Sequence, residues 1–304
     1  MGAKEFDVIT VGDVFIDIVM TGFDHWPRPG EESFAKTLHR EAGGGAAITA
    51  CGLAKLEMKT AIFAIVGRDG DWLTKRLAQR GVSLELVSSL ENESMALTVS
   101  VSSAEDRTFF TYQGSNNFLP DALKEEEVLI RQLSRARHVH LAFGIDPDLL
   151  IRVASGLHAN QTTISIDIGW QTEWMKNERT MSALKHADLF MPNESEGQLM
   201  TGKSQPEDIL KAFGDLGLNH IALKLGDQGS ALLRDGAVFN SPAVKVSAVD
   251  TTGAGDCFDA GYIYAWIKGY SPETCLRFGN ICGAFSTQSY GGIDGFPARD
   301  VLQI

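Results

Sequence analysis

Residues 250–261 read DTTGAGDCFDAG, and this short stretch decides how the chain is understood. Three small residues, Gly253, Ala254 and Gly255, stand directly before Asp256. Apolar residues at Phe258, Tyr262, Ala265, Trp266 and Ile267 then keep near-helical spacing as far as Gly269. The pattern predicts a helix whose first turn is the glycine-rich segment, with unpaired amides pointing outward. Such a tip binds anions, and small residues let the anion come close. Asp256 could equally be a plain cap. Alone, the stretch supports either a capped helix start or an amide cradle with a carboxylate beside it. The second arrangement is what phosphoryl transfer to an alcohol requires: charge stabilisation for the moving group and a proton acceptor for the nucleophile. The helix tip is expected to favour the ionised form of Asp256.

The rest of the chain supplies an α/β frame. Apolar runs with strand character recur at 6–12, 60–67, 138–144, 162–169, 187–192 and 220–226. Helical patterns lie between them at 71–81, 125–136, 147–158 and 206–217. This alternation predicts a three-layer α/β/α sandwich with a mainly parallel central sheet. Several runs end in Gly, Pro or Asp, at the sheet edge where ligands bind in such folds. One region breaks the rhythm. ALTVSVSS (96–103) alternates strictly and, with TFFTYQG (108–114), predicts an antiparallel hairpin. EESFAKTLHRE (31–41) reads as a further strand of the same small sheet. Insertions at about 14–42 and 94–114 are therefore expected to build a β lid on a single domain spanning 1–304.

Composition narrows the function. The chain has 304 residues, 44% hydrophobic and 22% charged, ordinary for a globular protein with a sizeable core. A formal charge of −12 argues against nucleic acid or anionic membranes as partners. It leaves room for a small anion held by a local cluster of amides. Cys51, Cys257, Cys275 and Cys282 form no C-x-x-C pair and read as reduced thiols. No run of eighteen apolar residues occurs, and the start, MGAKEFDVITVGD, lacks the basic end and apolar middle of a signal peptide. A cytoplasmic location is the expectation. There is no G-x-x-x-x-G-K-[ST] loop, and GGGAAI (43–48) fails as a dinucleotide fingerprint. His138 and His140 lack a third metal ligand and read as hydrogen-bonded core histidines, Cys257 as a packing residue. Phe109, Phe110 and Tyr112 suit lid packing or a subunit contact.

DTTGAGDCFDAG resembles the C-terminal signature of the ribokinase-like (pfkB) carbohydrate kinases, and four further matches follow in the family's order. VGDVFID (11–17) resembles the opening strand and substrate aspartate. GGGAAITACGLAKLE (43–57), followed by AIVGRDGDW (64–72), resembles the N-terminal glycine signature. PNESE (192–196) resembles the N-x-x-E motif, and LKLGDQGSAL (223–232) the strand and turn near the nucleotide. The resemblance implies transfer of the γ-phosphoryl of ATP to a hydroxyl of a small sugar, a pentose or hexose. Asp256 would be the base, and the amides of Gly253, Ala254 and Gly255 the anion hole.

It also implies that Asp17, with Asp13, Gly43 and Gly44, binds the sugar, with Asn116 and Arg107 as further substrate candidates. A carboxylate can accept from two neighbouring hydroxyls, which suits a diol. Lys224, Gly226, Gly229, Asn280 and Asn193 would surround the nucleotide. Asn193 and Glu196 would organise Mg²⁺, largely through water, although the pair is also a good capping box. Asp250 and Thr252, with YGGIDG (290–295), resemble a monovalent-cation loop that would suit K⁺. A homodimer through the exposed lid face is expected.

Two positions depart from the family pattern. Ile48 stands where an asparagine usually bonds sugar hydroxyls, and DIGWQTEW (167–174) replaces Asp-Pro-Asn-x-Arg, with Gln171 at the arginine. The substrate therefore does not transfer by analogy. A nucleoside kinase of the same fold and a non-catalytic sugar or nucleotide sensor are the competing readings. A sensor has no use for a base beside an intact Gly-Ala-Gly.

Overall fold

The computed structural model describes residues 4–23, 25–102, 107–169 and 171–303. In chain order its strands are β1 (Phe6–Val11), β2 (Phe15–Thr21), β3 (Thr37–Gly43), β4 (Thr60–Gly67), β5 (Ser83–Leu90), β6 (Leu97–Ser102) and β7 (Arg107–Tyr112). They continue with β8 (Ala136–Leu141), β9 (Thr163–Ile166), β10 (Leu189–Phe190), β11 (His220–Lys224), β12 (Ser230–Arg234) and β13 (Ala237–Ser241). Nine of them form one sheet in the order β13-β12-β11-β10-β9-β8-β1-β4-β5. From β5 to β11 every pairing is parallel, and β12 and β13 close one edge antiparallel.

Alternate side chains of the inner strands feed two separate cores. Val8, Ile62 and Ala64 enter one core with the helices Gly45–Lys55, Asp71–Gln79, Ala254–Ile267 and Pro272–Ser286. Ile9, Ala61, Phe63 and Ile65 enter the other with Glu126–Leu133, Pro147–Ala159 and Pro206–Asp215. With both faces covered, all eight residues of β4 are buried, so these strands read as continuous apolar runs. The six predicted strands and four predicted helices are all present. β5, β12 and β13 were not foreseen. β5 and β13 lie at the two sheet edges and carry exposed residues, which weakens the apolar signal. No helix among the described residues is long and apolar enough to cross a membrane.

The remaining strands form a small sheet, β3-β2-β6-β7. The expected hairpin is there, Leu97 facing Tyr112 and Ser102 facing Arg107 in antiparallel register. The strand expected at 31–41 begins only at Thr37 and continues to Gly43. Its edge strands expose Leu38, Phe109, Phe110 and Tyr112, each more than half accessible. The three aromatics are therefore about half covered by the described residues and half open to solvent. The small sheet reaches the large one through the link between β1 and β2, where Val14 is fully buried.

Asn116 braces that link. Its Oδ1 accepts from the Val14 amide at 3.3 Å, and its Nδ2 donates to the Val14 carbonyl at 3.1 Å. The side chain of this substrate candidate is thus committed to backbone. Asn116→Ala would strand one buried donor and one buried acceptor, a loss of ~1–3 kcal/mol. The expected outcome is a lower urea midpoint at unchanged m-value. An unchanged midpoint would show that the brace contributes nothing.

Candidate active site

The chain order reverses between β1 and β8, so the segments leaving their carboxyl ends diverge and open a crevice. Residues following β1, β8, β9, β10 and β11 meet there. Gly253 caps the helix Ala254–Ile267 in the left-handed region, φ 73°. A Cβ at Gly253 would lie 2.7 Å from Ile48 Cδ1 and 3.0 Å from Gly292 Cα, so only glycine fits. The amide of Ala254 closes a turn onto the Thr251 carbonyl at 3.3 Å. Those of Gly253 and Gly255 make no backbone hydrogen bond among the described residues. The tip expected to offer three amides therefore offers two outright and one held by a long bond.

Asp256 follows in the first turn of the helix. A Cβ at Gly45 would come within 2.7 Å of its Oδ1, so the third glycine of Gly43–Gly45 makes room for this carboxylate. The other two have parallel reasons. A Cβ at Gly43 would overlap the Asp17 carboxylate at 2.0 Å, and one at Gly44, φ 92°, the Asp13 carbonyl at 2.2 Å. Asp13, Asp17 and Asp256 are thereby gathered around one glycine turn. Gly45 was not singled out as a site residue, although its place in the glycine run was the available signal.

The helix tip does not hold Asp256 ionised, contrary to expectation. Burial first, and then the negative charge of Asp167, push its pKa up to about 7, outweighing the tip and the Lys224 ammonium. Burial, with Asp250 and Glu41 adding negative charge, lifts Asp17 to about 7 as well. Burial lifts Asp13 to about 6.

Lys224 ends β11 with its Nζ 2.6 Å from Asp167 Oδ2 and 3.2 Å from Asp259 Oδ1. Burial would discharge it, but the negative charge of Asp167 keeps it a firm cation, while burial pushes the neighbouring Asp259 carboxyl well up and Asp167 hydrogen-bonds it. Asp167, just beyond β9, is held down at about 2: burial opposes ionisation, and the lysine charge overcomes it. Sequence reasoning missed Asp167 and Asp259. Their only signals were a carboxylate at a strand end and another three residues after Asp256.

Beside Lys224 opens a cavity of about 620 Å³, lined mainly by apolar surface including Val244, Val246, Phe258 and Ala284. Gly226, Gly229 and Asn280 also line it. A Cβ at Gly229, φ 101°, would strike the Ser241 carbonyl at 2.2 Å. Asn280 Nδ2 donates to the carbonyls of Ser241 and Pro242, both at 3.1 Å, fixing the same wall.

Asn193 and Glu196 form the full capping box: Asn193 Oδ1 accepts from the Glu196 amide at 2.9 Å, and Glu196 Oε2 from the Asn193 amide at 2.8 Å. Burial and then Asp167 raise Glu196 to about 7. Asp250 ties two segments together, its Oδ1 accepting from the Thr252 amide at 2.9 Å and its Oδ2 from the Gly291 amide at 3.0 Å. The side chain of Arg107 lies outside the described residues. Gln171 Oε1 accepts from the Gly144 amide. His138 and His140 both bond Ser165 Oγ at 2.8 Å, and Cys257 Sγ donates to the Gly292 carbonyl, so these three serve packing.

Known proteins share this fold. The profile of the pfkB family carbohydrate kinases matches residues 5–299. Ribokinase of Arabidopsis thaliana is 31% identical over 96% of this chain and 79% of its own. A nucleoside kinase of Methanothermobacter thermautotrophicus is 26% identical over 97% of this chain and 94% of its own. The structure of Arabidopsis ribokinase complexed with ribose and ATP superposes with a TM-score of 0.86 at 28% identity, covering 98% of this chain and 97% of that one. With a family match across nearly the whole length and the ribokinase-like fold beneath it, this chain belongs to the pfkB family of carbohydrate kinases.

Proposed function

We propose that the protein transfers the γ-phosphoryl group of ATP to a hydroxyl of a small sugar, a pentose or hexose. The observation that carries this reading is the placement of Asp256 between the acidic Asp13–Asp17 corner and the apolar cavity beside Lys224. Adenine suits the wall of Val244, Val246 and Ala284. The phosphates would extend past Gly226, Gly229 and Lys224 to the amides of Gly253, Ala254 and Gly255. Asp17 would accept hydrogen bonds from two sugar hydroxyls, with Asp13 beside it and Gly43 and Gly44 giving close backbone approach. A third hydroxyl would then face Asp256.

In a loose transition state the alcohol surrenders its proton late, so a carboxylate is basic enough to receive it. The raised proton affinity of Asp256 brings the base near operating pH, where general-base catalysis is most effective. The helix-tip amides and Lys224 would stabilise charge on the moving phosphoryl. A magnesium ion, when bound, neutralises phosphate charge. Glu196, fixed by its capping box, fits an outer role reached through water, with Asn193 orienting it. Asp250 and Thr252 would shape the loop for K⁺. The small sheet would close over the sugar and exclude water, and its exposed aromatics would form a homodimer contact.

In the nucleoside reading Ile48 would pack the base, but its side chain lies against Gly253 and Gly292, so it gives that reading no separate support. ATP consumption measured across pentoses, hexoses and nucleosides decides between acceptors: turnover on a sugar is expected. Turnover on nucleosides alone would overturn the sugar assignment. Detectable binding with no turnover on any acceptor would favour a sensor.

Asp256→Asn is expected to cut kcat by ~10²–10⁴ while ATP still binds. Its effect on stability follows from linkage. A carboxyl whose folded pKa lies above its unfolded one stabilises least when ionised, so wild-type Asp256 costs most above pH 7. The variant should therefore melt higher than wild type at pH 8, with the gap narrowing toward pH 5. Equal melting at both pH values would contradict the raised pKa. For wild type, both Asp256 and Asp17 must be ionised to act. kcat/KM for the sugar should accordingly rise with pH up to about 7 and then level. A profile flat from pH 5 to 8 would remove the base assignment.

A further inference from the structure

Asp259 is wholly buried, carries a carboxyl group, and has no part in the reaction just described. It sits one turn beyond the anion-hole residues on the helix Ala254–Ile267. Its Oδ1 and Oδ2 lie 3.2 and 3.4 Å from Lys224 Nζ, while Asp167, which also hydrogen-bonds Asp259, takes the same ammonium at 2.6 Å; burial pushes the Asp259 carboxyl well up, toward its protonated form. His140 Nε2 approaches Asp259 Oδ2 to 3.9 Å, and that nitrogen has no hydrogen-bond partner. Burial drives the His140 pKa down to about 4, so the ring is neutral and offers no charge. Among the described residues, Lys224 is the one cation that pairs with Asp259.

A buried ion pair with a buried carboxyl group beside it is a poor way to gain stability, since well-packed apolar side chains of similar volume often do as well or better. Its location suggests another use. The position a Cβ would take on Gly255 is 3.6 Å from Lys224 Nζ, which puts the ammonium directly behind the anion-hole turn. Lys224 also lines the nucleotide cavity. A lysine side chain has four rotatable stem bonds and would otherwise sample many positions. The Asp167–Asp259 pair, hydrogen-bonded to each other and both within reach of the ammonium, leaves it one.

We infer that Asp259 is a positioning residue: together with Asp167 it pins the Lys224 ammonium beneath the Gly253–Gly255 turn, so that a fixed positive charge backs the amides facing the phosphoryl group. This rests on the kinase reading above and deepens it. The helix thus carries two carboxyl groups with separate tasks, Asp256 toward the sugar and Asp259 toward the lysine. The preorganised charge needs no rearrangement when the phosphoryl moves, which is the condition under which electrostatic stabilisation is most effective.

The test is a double-mutant cycle of Asp259→Leu and Lys224→Met, with kcat and the KM values for ATP and sugar measured separately. Asp259→Leu should lower kcat by roughly 10- to 100-fold, the scale expected when a group near the chemistry is misplaced. It should leave the sugar KM within about twofold. In the Lys224→Met background the same substitution should cost nothing further, because there is no ammonium left to hold. Wild-type kcat in Asp259→Leu, or losses that simply multiply in the double variant, would overturn the inference. If Asp259→Leu does not fold, Asp259→Ala, which likewise removes both oxygens, carries the same cycle.

Calorimetry with ADP and with adenosine supplies a readout independent of turnover. Asp259→Leu should weaken ADP and spare adenosine, and equal weakening of both would count against the role. A wild-type chain that phosphorylates no acceptor would defeat the kinase reading, while the ADP-to-adenosine ratio would still judge Asp259.

Discussion

Close backbone approach around one turn, Gly43–Gly45, is the constraint on which the site depends. Three carboxylate-bearing segments converge on it: the Asp13 carbonyl presses on Gly44, the Asp17 carboxylate on Gly43, and the Asp256 carboxylate on Gly45. A single methyl group at any of these positions would collide with one of them. The turn also starts the helix Gly45–Lys55, which carries Ile48 beneath Gly253, the cap of the helix Ala254–Ile267. The acidic corner and the helix tip are therefore held in register by the same few atoms. Neither could shift without displacing the other.

The electrostatic layout follows from that packing. Carboxylates crowd the end of the crevice assigned to the sugar, and burial raises the proton affinity of each. The end beside the apolar cavity carries Lys224 and the helix tip, with Asp227 and Lys245 also on the cavity wall. A net charge of −12 is thus no obstacle to binding an anion, because the field near the tip is set by groups within a few ångströms. Asp167 takes part on both sides. It fixes the lysine, and its negative charge contributes to the raised pKa values of Asp256 and Glu196.

Two contacts carry the small sheet's position toward this centre. His39 on β3 stacks on Tyr290 with ring centroids 4.1 Å apart, and the stem of Glu41 lies against Gly291. Gly291 is the residue whose amide Asp250 holds. Strands that contribute Asp17 are in this way joined to the segment that precedes the Gly253–Gly255 turn.

The sequence by itself determined the inner architecture, because strands covered on both faces must be apolar throughout and helices between them must be amphipathic. It also determined the glycine turn at 253–255, since a motif that is local in the chain is legible there. Family membership was legible for the same reason, through five ordered motifs. Tertiary structure alone decided what long-range burial controls. It raised the Asp256 pKa against the pull of the helix tip, spent the Asn116 amide on Val14, and turned Ile48 under Gly253. It also brought Asp167, Lys224 and Asp259 together from three separate elements. Desolvation and charge pairing depend on which atoms surround a group, and residues 57 and 35 positions apart meet only once the sheet has formed.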